Sequence, residues 1–235
     1  MHGLDAWHSI DLGLREKQQI LECTNTQRVG VRIHWLFFNP QSPAMLERAG
    51  FDYDTSLGFN ETSGFRNGTT QVFQLVEANR LLELPLNIQD TSLFYPRRLH
   101  LNNDEARKLC LEILDSFSIF GGALTVSWHE RSLEPERLWG DFYMWLLKEL
   151  KDRGAWVTRA DQIVDWFRRR RSVRFGECTL IHKKMILRVS GSHSTSGPQM
   201  FVRIHASSSS GRSQVDIPWN GEDLIEIPFE EREAA

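Results

Sequence analysis

His2, His8 and His129 are the side chains of this sequence best suited to chemistry. A neutral imidazole is a good zinc ligand, so His2 and His8 are the natural metal candidates. A spacing of six is too wide for one face of a helical turn, so a shared ion needs a bent loop. Solvated surface histidines would give the same spacing. His129 is better placed, at the end of the apolar run Ala123–Trp128 and beside Glu130 and Arg131. The plain alternative there is a strand-end His bonded to backbone. Arg66, in Gly64-Phe65-Arg66-Asn67-Gly68, reads equally as a solvated Arg. Arg168–Arg171 looks like a nucleic-acid patch in isolation, but four Arg at a helix C-terminus also complement the helix dipole. His34 and His100 stay undecided, and His182, His193 and His205 receive no role.

The elements that must position these groups follow from periodicity. Val29–Trp35, Phe51–Asp54, Leu81–Ile88, Ala123–Trp128 and Ala155–Val157 read as strands. Leu14–Cys23, Pro43–Ala49, Asp104–Phe120, Pro135–Arg153 and a segment from Thr158 to about Arg171 read as helices. Asn103 is the expected cap of the third, and Thr158 that of the last, with Asp161 at the capping-box distance. Ser56–Thr70 reads as a long loop, a common place for function. Alternating strands and helices argue for a parallel sheet or barrel. Active groups then collect at the carboxyl ends of the strands: Arg32–Trp35, Gln89–Asp90 and Trp128–Arg131.

From Val173 onward only strand-like runs remain: Cys178–His182, Met185–Val189, Met200–His205, Val215–Ile217 and Leu224–Ile227. Their Gly- and Ser-rich turns suit a small antiparallel sandwich, with a boundary near residue 172. Ser207–Ser210 reads as a mobile loop tip. Net charge is −3, so no global basic field points to nucleic acid or membrane. No apolar run reaches the ~20 residues of a membrane helix. Met1–Ile10 lacks the basic start and apolar stretch of a signal peptide, which makes the chain as written cytoplasmic. Cys23, Cys110 and Cys178 are odd in number and far apart, so they read as reduced thiols rather than a disulfide framework. Eight Trp and fourteen Phe exceed the needs of a minimal core; most suit a core, and some suit sugar faces.

Several ordered segments resemble the polysaccharide deacetylase (NodB-homology) family. They are Gly30-Val31-Arg32-Ile33-His34-Trp35, Ala49–Gly58, Gly64–Thr69, Leu82–Asp90 and Leu124-Thr125-Val126-Ser127-Trp128-His129. The resemblance covers about residues 1–171 and implies an α/β fold. The expectation is an incomplete distorted (β/α) barrel (NodB-like) over 1–172, followed by a small all-β domain over 173–235. It further implies hydrolysis of an acetyl group from an acetylated sugar polymer or glycan. A divalent metal, most often zinc, would polarise the carbonyl and bind the attacking water. On the same basis His2 matches the first metal His and His8 is the candidate for the second. The family more often spaces that pair four apart, which leaves Asp5 as the alternative. His129 matches the late general acid, Asp90 the acidic residue that positions it, and Arg32 a strand-end Arg that orients the catalytic groups. Arg66, Trp128 and Trp35 would line the sugar cleft.

Only about five barrel strands can be counted, and no strand precedes His2, whereas a closed barrel has roughly seven or eight. The family's first-strand Asp pair therefore has no counterpart. The expectation is a fragment that binds metal weakly, with impaired activity and with open sheet edges that invite self-association. Two other readings compete: a non-catalytic carbohydrate-binding or scaffold protein, and a chain whose β-domain is the functional part, docking a partner.

Overall fold

The computed structural model describes residues 1–182, 184–208 and 211–227. The chain divides into two compact units, Met1–Val164 and Asp165–Ala235. The division falls inside a helix, a few residues before the expected boundary at 172. The first unit begins with β1 (His2–Gly3) and α1 (Ile10–Cys23), whose cap Ser9 accepts from the Leu12 amide. Then come β2 (Arg32–Ile33), α2 (Ser42–Arg48) and β3 (Tyr53–Asp54). Gly13 lets α1 approach α2, because a Cβ there would stand 2.9 Å from Ala49 Cβ. Glu47 at the end of α2 accepts from the amides of Asn79, Arg80 and Leu81. Burial is the largest single influence and raises its carboxyl, but the three amides together outweigh it and hold the group below the usual range.

Next are β4 (Phe73–Gln74), β5 (Leu82–Glu83), β6 (Leu86–Gln89) and α3 (Asp90–Phe94). They lead to α4 (Asn103–Phe120), β7 (Thr125–Ser127) and α5 (Gly140–Asp152). The parallel pairings follow chain order except that β4 is passed over. β1 pairs parallel with β2, Val31 bridges Asp54 in parallel, β3 pairs parallel with β5, and β6 with β7. Only β4 is antiparallel, against β5. Apolar runs such as Leu81–Ile88 are buried along their whole length, as parallel strands covered on both faces must be. The result is an open run of mostly parallel pairings in several short sheets. It does not close into a barrel.

Local differences from the sequence expectations have local causes. Ala155–Val157 forms no strand. The helix expected from Pro135 starts only at Gly140, because Leu138 sits at φ 58°, in the left-handed region, and interrupts the turn. The cap of α4 is Asn102 rather than Asn103; Glu105 completes its capping box. In α6 (Ala160–Ser172) the side chain reaching back to the Arg159 amide is Gln162, not Asp161. The long loop 56–70 is stitched to the sheet: the Gly64 amide donates to Asn87 O at 2.8 Å, and the Ser63 and Ser92 hydroxyls lie 2.7 Å apart.

The second unit holds two antiparallel sheets. β8 (Arg174–Ile181) and β9 (Lys184–Ser190) pair together, while β10 (Met200–Ser208) pairs with β11 (Gly211–Trp219). β12 (Leu224–Ile227) joins the free edge of β9. Leu187, Val189 and Ile225 from one sheet share a core with Met200, Val202 and Trp219 from the other. The tip expected at Ser207–Ser210 lies partly outside the described residues, at 209 and 210. No helix among the described residues is long and apolar enough to cross a membrane.

Candidate active site

Four strand ends deliver the polar groups. β1 contributes His2, β2 carries Arg32 and leads into His34, β6 leads into Asp90 at the start of α3, and β7 ends just before Trp128 and His129. Register makes neighbours of residues far apart in the chain: His2 lies opposite Arg32, and Gln89 opposite Ser127.

The best-defined unit is Asp90 with His129. One carboxylate oxygen accepts the His129 backbone amide at 2.7 Å, and the other meets the ring Nδ1 at 2.7 Å. Burial alone would raise the Asp90 pKa. The His129 ring, the Ser132 hydroxyl and the His129 amide outweigh it and hold the carboxyl below its usual range. An ionised Asp90 can only accept, so Nδ1 must carry the proton, and Nε2 is left free. The His129 side chain is 43 % exposed while Asp90 is fully buried, so the imidazole is anchored at one end and open at the other.

His2 faces His34, their ring centroids 5.0 Å apart in an edge arrangement. Burial lowers the His2 pKa, and His34, Arg32 and His129 add to the effect. His2 is therefore a neutral imidazole at neutral pH. The His8 ring contacts Asp5 at 3.1 Å on an exposed face. The structure thus couples His2 with His34. Among the described residues, no three side chains of His, Cys, Asp or Glu converge as a metal ligand set. The residues present do not make the Asp-and-two-His site that the resemblance implies.

Arg32 holds the strand ends together. It donates to Ser127 Oγ at 2.8 Å, to Thr55 Oγ1 at 3.2 Å and to Thr55 O at 3.3 Å. Ser127 lies two residues before His129, so this fork fixes the strand that carries the imidazole. Burial lowers the Arg32 pKa, and Asp54 and Glu83 oppose that.

Beneath Arg32 lies a pair the sequence reading missed. Asp54 and Glu83 are both fully buried. Asp54 Oδ1 accepts from the Thr55 and Ser56 amides and from Ser56 Oγ, and Glu83 Oε1 accepts from the Leu57 amide. Burial pushes Asp54 up to about 6, although its hydrogen bonds resist. Burial, then the Asp54 charge, pushes Glu83 well above the carboxylate range. The two remaining oxygens, Asp54 Oδ2 and Glu83 Oε2, have no other partner. One proton shared between them satisfies both. The available signal was a charged residue inside an apolar run, Leu81-Leu82-Glu83-Leu84, which can be buried only if it is paired.

The expected sugar-contact residues separate. Trp35 is 56 % exposed and sits at φ 56°, with Arg98 over its ring at 5.8 Å. Asn60 donates to its carbonyl at 2.6 Å and helps hold that unfavourable backbone. Trp128 instead stacks on Phe142 and Tyr143 and packs against the core of α4 and α5. Arg66 donates to Gly58 O at 2.8 Å and braces its own loop.

No protein-family model matches the chain, and no curated protein sequence matches it. The fold is similar to the crystal structure of a protein from Mycobacterium smegmatis assigned as a polysaccharide deacetylase. The TM-score is 0.50 at 20 % identity, over 69 % of this chain and 57 % of that one. The chain therefore spans little more than half the length of that neighbour. Identity this low speaks to fold alone. The conclusion it supports is a mixed α/β unit of deacetylase-like fold, with an anchored Asp90–His129 pair at its strand ends.

Proposed function

We propose that residues 1–164 remove acetyl groups from an acetylated glycan, with His129 as the proton-transfer group. The observation that carries this reading is the His129 imidazole, held at Nδ1 by a buried, ionised Asp90 with Nε2 open to an incoming molecule. Once a water molecule has added to the acetyl carbon, a proton on Nε2 can pass to the leaving nitrogen or oxygen as the carbon–heteroatom bond breaks; acetate departs with the water's oxygen, and the water's proton restores the imidazolium. The Asp90 charge stabilises the imidazolium that precedes this transfer. Arg32 is a positioning residue, since its donors are engaged by Ser127 and Thr55. Trp35 offers a flat apolar face on which a sugar ring can stack.

Acetate release from acetylated glucosamine oligomers tests the proposal, with and without chelator, for the wild-type chain and for His129→Ala. Release by the wild type that His129→Ala abolishes supports it. Release that His129→Ala leaves intact refutes it. Zinc is tested separately by titration. Weak binding is expected, because no three-ligand set is found among the described residues; stoichiometric submicromolar binding would overturn that expectation.

The exposed Trp35 beneath Arg98 favours a second reading, glycan binding without catalysis. It predicts chelator-insensitive binding that Trp35→Ala weakens, together with no acetate release.

A further inference from the structure

The second unit contains an open cleft of about 990 Å³, lined entirely by its own residues. Trp166, Arg170 and Arg171 come from the end of α6, Arg174 and Phe175 from β8, and Phe201 and Arg203 from β10. Trp166 is fixed by its indole N–H, which donates to Pro198 O at 3.0 Å, and Arg170 lies 5.9 Å over its ring. Buried Trp219 belongs to the core under the cleft.

Its charges do not balance. Asp216 is matched by Arg203 through two contacts of 2.8 Å. Arg170, Arg171 and Arg174 find no carboxylate partner among the described residues. Arg174 donates through Nη1 to the carbonyls of Arg171 and Val173, and the rest of its fork finds no acceptor among the described residues. Phe175 is 62 % exposed and Phe201 54 % exposed, which is unusual for aromatic rings that could have been buried. Unpaired guanidinium forks suit carboxylates, and exposed rings suit the apolar faces of sugars.

We infer that this cleft binds an acidic polysaccharide, one whose sugars carry uronic carboxylates. The choice of a glycan over a nucleic acid, which is equally a polyanion, rests on the reading of residues 1–164 as a glycan deacetylase. The helix-end arginines thus have a use beyond complementing the dipole of α6.

The test is binding of the intact chain to polygalacturonate, with dextran and oligodeoxythymidylate as comparisons. Binding to polygalacturonate and not to dextran is expected, weakening as salt rises. Arg170→Gln/Arg171→Gln/Arg174→Gln should weaken it roughly tenfold or more. Phe201→Ala should weaken it separately, which guards against misfolding of the triple variant. Acetate release from neutral acetylated oligomers should be unchanged in both variants. Binding without any acetate release would leave the cleft standing and remove the proposed activity. Failure to bind polygalacturonate, equal binding by the triple variant, or tighter binding to oligodeoxythymidylate would each overturn the inference.

Discussion

Asp90 and the Asp54–Glu83 pair lie in the same unit, and all three carboxyls are fully buried, yet they titrate in opposite directions. Asp90 receives an imidazole, a hydroxyl and an amide, and it stays ionised. Asp54 and Glu83 face each other, and the cheapest arrangement for two close carboxyls is to share a proton. Burial sets the cost of a charge; partners decide whether the charge is kept. One site is thereby made chemically directional and open, and the other becomes a closed internal tie beneath Arg32.

The sharpest way to break this contrast is at the open site. His129→Ala should lower acetate release by ~10²–10⁴. Asp90→Asn should lower it by less while leaving substrate affinity near the wild-type value, since it loosens the imidazole without removing it. An Asp90→Asn enzyme with full turnover would show that the anchoring is only structural.

At the closed site the expected effect is on folding. Asp54→Ala strands the Thr55 and Ser56 donors and Glu83 in the interior, costing about 3 kcal/mol in urea denaturation. Unchanged stability would mean that water reaches the pair.

The pH dependence separates the sites by sign. The folded-state pKa of Asp54, about 6, lies above its ordinary value of 3.8, so the folded state holds the extra proton. The Asp54 contribution is fully favourable below about pH 4 and is lost as pH rises through about 6, on the order of 3 kcal/mol. Glu83→Gln should flatten that loss. Asp90 acts the other way: its lowered pKa supplies stability above the ordinary carboxylate range, which disappears on acidification. Melting temperature measured against pH, for wild type and each variant, resolves the two.

Smaller effects are expected further out. Arg32→Lys keeps the charge but loses the fork to Ser127 and Thr55, for about 1 kcal/mol. His8→Ala should change stability by less than about 0.5 kcal/mol and leave acetate release intact, because its ion pair with Asp5 is exposed. A marked loss of activity in His8→Ala would return His8 to the site.

Sequence reasoning went furthest where a property is local. A polar cap just before an apolar helical stripe is such a property, so the start of α4 was read to within one residue, at Asn103 for Asn102. His129 and Asp90 were legible because each follows an apolar run, and strand ends are where such folds gather polar groups. The small sheets after residue 173 were visible in alternation and in Ser- and Gly-rich turns. The helix at 140–152 was read too long, because a left-handed Leu138 leaves no mark in composition.

The chain alone determined which segments could be buried and which residue types ended them, since hydrophobic periodicity acts over a few residues. Only the tertiary structure decided who meets whom. It set His2 against His34 and His8 against Asp5, joined Asp54 to Glu83, tied Arg32 to Ser127, and left the run of parallel strands unclosed. Those choices rest on register between strands separated by tens of residues. A shift of one position would turn each of these side chains to the opposite face.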